Sequence, residues 1–313
     1  MTKAIRLAAA AITAMMSLSA APHNHELCEG FLPKNDMKIP VGFKSLDVGA
    51  AGLDESQFNA VLDRAQRLYG PIIAQAGGRL EINRNWQDQT VNASANQSGG
   101  TWFLNMYGGL ARHPATTIEG FSLVVCHELG HHLGGAPKIA DKSPFPFPLP
   151  FPFPGGDDSP SWATNEGGAD YFATLKCLRG FFAEDDNQTL VDAADKAGIL
   201  SPFAAQMCDQ EFSNDTDRLL CKRATLGAVS TAGLFQALRK ETTAPDFAKP
   251  DQKKVSQMDD DHPGTQCRMD TYFNGAICNV DKTVPVSNTD YRQGSCVENV
   301  AKVGFRPRCW FAP

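Results

Sequence analysis

The sequence has no Cys-x-x-Cys pair, no excess of positive charge and no internal repeat. Lacking Cys-x-x-Cys, it lacks the usual signature of a thiolate zinc site. Its 29 Lys and Arg against 35 Asp and Glu leave a net charge of −6, so there is no basic footprint for nucleic acid or for an anionic membrane surface. The absence of a repeat argues against a solenoid or propeller. Long hydrophobic runs are also missing. The apolar stretch from Leu7 to Leu18 is too short to cross roughly 30 Å of hydrocarbon.

What is present is an ordinary soluble composition, 42% hydrophobic and 20% charged, in a chain of 313 residues. That length accommodates one sizeable domain with an appendage, or two small domains. Lys3 and Arg6 precede the Leu7–Leu18 run, and Ser19-Ala20-Ala21 supplies small residues behind it. This reads as a signal peptide over residues 1–20, and predicts export to a periplasm or the extracellular space. No lipobox-like segment precedes Cys28, so a lipid anchor is not expected. An exported chain with nine cysteines is expected to form disulfides, and the odd number leaves at least one free or paired outside the chain. Cys126, inside the apolar run Val124-Val125-Cys126, is the expected free thiol.

Residues 21–53 carry Pro and Gly without periodicity and read as an irregular N-terminal extension. From Asp54 to Ala76, Phe58, Val61, Leu62, Ala65, Leu68, Tyr69 and Ile72 recur at helical spacing. Asp54 or Ser56 is the expected cap, and Pro71 is expected to kink the helix or end it early. Strands are expected at Leu80-Glu81-Ile82, from Thr90-Val91 and over Thr101–Tyr107, with Asn96–Gly100 as a turn. Helices follow over about 117–133 and 162–182, with two or three more between 188 and 240. From Lys253 the chain turns irregular, and residues 276–313 form a cysteine-rich tail expected to be held by disulfides. The segment 143–154 alternates proline with apolar residues, which forbids helix and implies an extended insertion. It is either a stiff surface insertion or an arm that touches substrate or a partner.

The chemistry lies in His127-Glu128-Leu129-Gly130-His131. On a helix, residues four apart share a face, so both imidazoles can reach one cation. Glu128 stands beside them, placed to accept a proton from an attacking water. A third ligand is required. The extension that would add a third histidine places Pro137 at the ligand position, and proline cannot bind metal. Asn165-Glu166-Gly167-Gly168-Ala169-Asp170 offers the other solution. Glu166 completes the metal set, while Asp170, on the same face, accepts a hydrogen bond from a ligand histidine. His132 points about 100° away from His131 and is expected to be a surface or packing residue rather than a ligand.

The blocks Val91-Asn92-Ala93-Ser94-Ala95, Gly99-Gly100, Gly108-Gly109-Leu110, His127–His131, Glu166 with Ala169-Asp170, and His262-Pro263 with Arg268 occur in order. As a set they resemble soluble relatives of the HtpX and BepA metallopeptidases, which are gluzincins. The resemblance implies an α+β, zincin-like catalytic domain with a small antiparallel or mixed sheet, an active-site helix and a glutamate-bearing helix, here spanning residues 54–275. It also implies an edge strand near Thr101–Tyr107 that pairs with substrate. Arg268 is implied near the active site, stabilising oxyanion charge or ordering Glu166 and Asp170. His262 is implied as a fourth ligand in a resting state. The Pro-Phe insertion, the cysteine-rich tail and Gly168, where the family carries an acidic residue, depart from the pattern.

The expectation is therefore a zinc metalloendopeptidase with one Zn2+ per chain, acting on protein or peptide substrates, with no nucleic acid and no membrane span after signal cleavage. The rival is a periplasmic zinc-binding chaperone or assembly factor whose site His262 closes. A third class is an adhesion or inhibitor module built on the Pro-Phe segment.

Overall fold

The computed structural model describes residues 30–43, 52–139 and 161–313. The signal segment, Cys28 and the Pro-Phe insertion lie outside the described residues.

Helix α1 (Glu55–Gln75) starts on a capping box in which Asp54 accepts from the Gln57 amide and Gln57 returns a bond to the Asp54 amide. It runs unbroken through Pro71 to Gln75 and does not end early. Its buried stripe closes on Ile73, leaving Ile72 exposed, because the face continues four residues on from Tyr69. Strands β1 (Arg79–Asn85), β2 (Ala93–Ser98) and β3 (Thr101–Tyr107) form one mixed sheet in the order β1-β3-β2. β1 pairs parallel and β2 antiparallel to β3. β2 therefore includes Asn96–Ser98, and the turn shrinks to Gly99-Gly100, both at positive φ.

β3 is the central strand, not the edge expected from the resemblance. The reason lies in its burial: β3 has no exposed residue, as befits a strand with neighbours on both sides. The edge strand packed against the metal-motif helix is β2.

A short turn of helix, α2 (Gly108–Ala111), leads to α3 (Ile118–Leu133), capped by Thr117. Every residue of α3 from Gly120 to His132 is buried, the polar ones included, so it is the central rod of the domain. α4 (Glu166–Phe172) continues through a π-helical stretch, Ala173–Cys177, into α5 (Leu178–Phe181). Three more helices follow, α6 (Asn187–Lys196), α7 (Pro202–Glu211) and α8 (Asp215–Arg239), with α8 lying along α3. The region after Lys253 contains a further helix, α9 (Thr265–Ile277), where irregular chain was expected. Its mixed apolar and polar sequence hides the period, and packing against α4 and α8 decides the helix.

Four disulfides join described residues: Cys126–Cys177, Cys208–Cys221, Cys267–Cys309 and Cys278–Cys296. The expectation of a free Cys126 is thus wrong. Its apolar surroundings mark the α3 face that packs on the π-helical stretch, where Cys177 stands opposite. Closing that 51-residue separation contributes about 4 kcal/mol on the chain-entropy account. The two C-terminal bridges hold the tail as expected. Among the described residues no helix is long and apolar enough to cross a membrane.

Candidate metal centre

Two helices carry the site, and two local devices bring them together. The first is a short antiparallel contact linking the end of α3 to the start of α4. The Thr164 amide donates to His131 O at 2.9 Å, the Asn165 amide to Pro137 O at 3.1 Å, and Ile139 to Ala163 O at 2.8 Å. Asn165 then caps α4 by accepting from the Gly168 amide at 3.0 Å. The second device is Gly130. A Cβ there would lie 2.8 Å from Ala169 O and 2.9 Å from Ala169 Cα, so only glycine lets α4 approach this closely. Gly167 plays the same part toward the tail, because a Cβ would meet the Trp310 ring at 2.2 Å.

With the helices so placed, the His127 and His131 Nε2 atoms lie 3.0 Å apart. Glu166 Oε2 is 3.4 Å from His127 Nε2, and Glu166 Oε1 is 3.6 Å from His131 Nε2. All three residues are buried, and together they form a group able to hold a metal ion. The spacing suits a small cation. Ligands at about 2.0–2.1 Å in a tetrahedron stand about 3.3 Å from one another.

The far nitrogen of each ring is committed elsewhere. His127 Nδ1–H donates to Asp170 Oδ1 at 2.7 Å, and His131 Nδ1–H donates to the Thr164 carbonyl at 2.8 Å. Both bonds fix the tautomer that turns an Nε2 lone pair toward the shared point. Asp170 is in turn gripped by Arg268, Nε to Oδ2 at 2.7 Å and a terminal nitrogen to Oδ1 at 2.6 Å. Arg268 is fully buried, forked onto Asp170 and stacked over Phe235 at 4.3 Å. Its ion pairs run to Asp170 and, at 3.8 Å, to Glu166.

Burial opposes a charge on His127, but Asp170 and Glu166 outweigh it and raise its pKa to about 9. On His131 burial dominates and lowers the pKa to about 4. Glu166 lies well below the usual carboxylate range, because His262, His127 and His131 together overcome its burial. A proton on His127 must leave before a metal binds, so zinc uptake by the metal-free protein is expected to strengthen about tenfold per pH unit from pH 6 to 8. Competition titration at several pH values checks this. A flat profile would contradict it.

Glu128 is fully buried, and among the described residues neither of its carboxylate oxygens has a hydrogen-bond partner. Burial, with Glu166 adding to it and His127 opposing, raises its pKa to about 8. A buried, unpaired acid is costly unless its partner is a solvent molecule or a ligand.

No protein-family profile, curated protein or solved structure matches the chain.

His132 is a packing residue, buried rather than at the surface. Its ring stacks between Trp102 at 5.2 Å and Trp162 at 4.9 Å, accepts from Gln97 Nε2 at 3.1 Å and donates to Phe103 O at 3.2 Å. His262 reaches the site edge, with Nε2 3.5 Å from Glu166 Oε2. Sequence reasoning missed Phe31 and Gly30 of the extension. Phe31 is fully buried against the His127 ring at 5.0 Å. An apolar Gly-Phe-Leu within an irregular stretch was the only available signal.

Proposed function

We propose that this chain is an exported zinc-dependent endopeptidase of gluzincin type, resembling soluble HtpX/BepA-type enzymes, with a zincin-like catalytic domain. The single observation that carries the reading is Glu128. It is a fully buried acid without a protein partner among the described residues, next in sequence to one member of a converging His-His-Glu group. A merely structural metal site has no need of such a group.

His127, His131 and Glu166 would hold the ion. Zinc, when bound, supplies Lewis acidity and makes water acidic enough to ionise near neutral pH. Glu128 takes a proton from the attacking water and returns it to the leaving amine, so no acyl-enzyme forms. Asp170 and the Thr164 carbonyl keep the two imidazoles oriented, and Arg268 is a positioning residue acting through Asp170. β2 has no strand on its outer side among the described residues, and beyond Ala93, whose carbonyl accepts from Phe31, it offers backbone groups to an extended peptide. The disulfides and the lack of a spanning helix among the described residues are compatible with an exported protein, periplasmic or extracellular.

A second reading, a zinc-binding chaperone closed by His262, is favoured by the 3.5 Å approach of His262 to Glu166. Metal analysis with an unfolded-casein assay separates the two. The peptidase should contain about one zinc per chain and lose cleavage to a chelator, regaining it with added zinc. Zinc without cleavage, with cleavage gained in His262→Ala, would establish the latent reading instead. Cleavage that survives chelation would reject both.

A further inference from the structure

The N-terminal arm is stitched to the metal site. The Phe31 amide donates to Ala93 O of β2 at 2.9 Å, and the Phe31 carbonyl accepts from Arg268 at 2.7 Å. Asn92 holds Leu32 from both sides, accepting from its amide at 2.9 Å and donating to its carbonyl at 3.0 Å. These bonds place the Gly30 carbonyl 2.7 Å from His262 Nε2. Gly30 sits at φ +111°, and a Cβ there would lie 2.7 Å from Ala93 O, so the position suits glycine alone.

A carbonyl oxygen can only accept, so at 2.7 Å His262 Nε2 must carry the hydrogen. A ring nitrogen that donates to a carbonyl has no lone pair for a metal. The same Nε2 is 3.5 Å from Glu166 Oε2, at the edge of the His127, His131 and Glu166 group but not a member of it.

We propose that the Gly30 carbonyl and the metal compete for this one nitrogen, so that the seating of the N-terminal arm sets whether the fourth coordination position is open. With the arm seated, His262 is held as a donor and the position is left to solvent or substrate. With the arm lifted, His262 closes the position. The Nε2 hydrogen passes to solvent as that nitrogen's lone pair turns to the metal. The extension is thus a device that licenses the site. The inference rests on the zinc reading above, but not on peptidase activity.

The test uses the full chain loaded with cobalt(II), with azide as a probe that needs an open coordination position. In the unaltered protein azide should change the visible cobalt spectrum. In Gly30→Ala it should not, cobalt should leave to a chelator about tenfold more slowly, and casein cleavage should fall by a similar factor. Asn92→Ala, which frees Leu32 without forcing a Cβ against Ala93, should move all three readouts in the same direction by less. Gly30→Ala combined with His262→Ala should regain the azide response. Circular dichroism establishes that each variant is folded. An unchanged azide response in folded Gly30→Ala and Asn92→Ala overturns the proposal, as does a double variant that fails to regain it. If the azide pattern holds but the unaltered protein cleaves no casein, the peptidase reading fails and the arm's role stands. If the unaltered protein takes up no cobalt, both fall.

Discussion

Replacing Glu128 with glutamine is expected to leave zinc in place and to lower casein hydrolysis by about a thousandfold or more. The amide has nearly the shape of the carboxylate, so the ligand set of His127, His131 and Glu166 is undisturbed. What it cannot do is take up a proton. The same substitution has a second, independent signature in the metal-free protein. Burial holds Glu128 at a pKa of about 8 in the folded chain, above its unfolded value. A carboxyl whose folded pKa is raised loses stability as pH rises between the two values. Glutamine abolishes that loss, so the variant's melting temperature should match or exceed that of the unaltered protein, and the margin should widen between pH 5 and pH 8. Zinc content, protease-free activity and melting curves at two pH values measure all of this. Full activity in the variant would remove Glu128 from the chemistry.

Arg268→Met should cost about 3–5 kcal/mol of stability, because it strips the cation from the fully buried Asp170 and leaves that carboxylate's charge uncompensated. Zinc affinity should fall about 10–100-fold as well, since Asp170 would no longer hold His127 in one orientation. Arg268→Lys should recover little, because an ammonium cannot reproduce the fork onto both carboxylate oxygens. Urea unfolding and metal competition give the two numbers. If stability and affinity were both unchanged while kcat alone collapsed, Arg268 would be acting on the reacting oxyanion instead of on Asp170.

Much of this site is legible in the chain because it depends on local spacing. His127 and His131 share a face wherever residues 118–133 are helical, and Glu166 shares one with Asp170 for the same reason. Asp54, the strand over Thr101–Tyr107 and the three helices between 187 and 239 follow from equally short-range rules. The misreadings share the opposite character. The place of β3 in the sheet depends on which strands lie beside it. The pairing of Cys126 depends on a cysteine far along the chain, and α9 depends on the helices it packs against.

Residue types and spacing already fix the donors and their order: two imidazoles and an acid on one turn, and a second acid on a later helix. Those follow from residue chemistry and the 3.6-residue period, which act over a few residues. Tertiary packing is what brings α4 close enough at Gly130 for three ligand atoms to converge. It also decided that Arg268 grips Asp170, and that an irregular N-terminal stretch reaches His262 through one carbonyl. Such contacts join residues far apart in the chain, and no local propensity encodes them; they exist only once burial of the α3 core has fixed where each backbone lies.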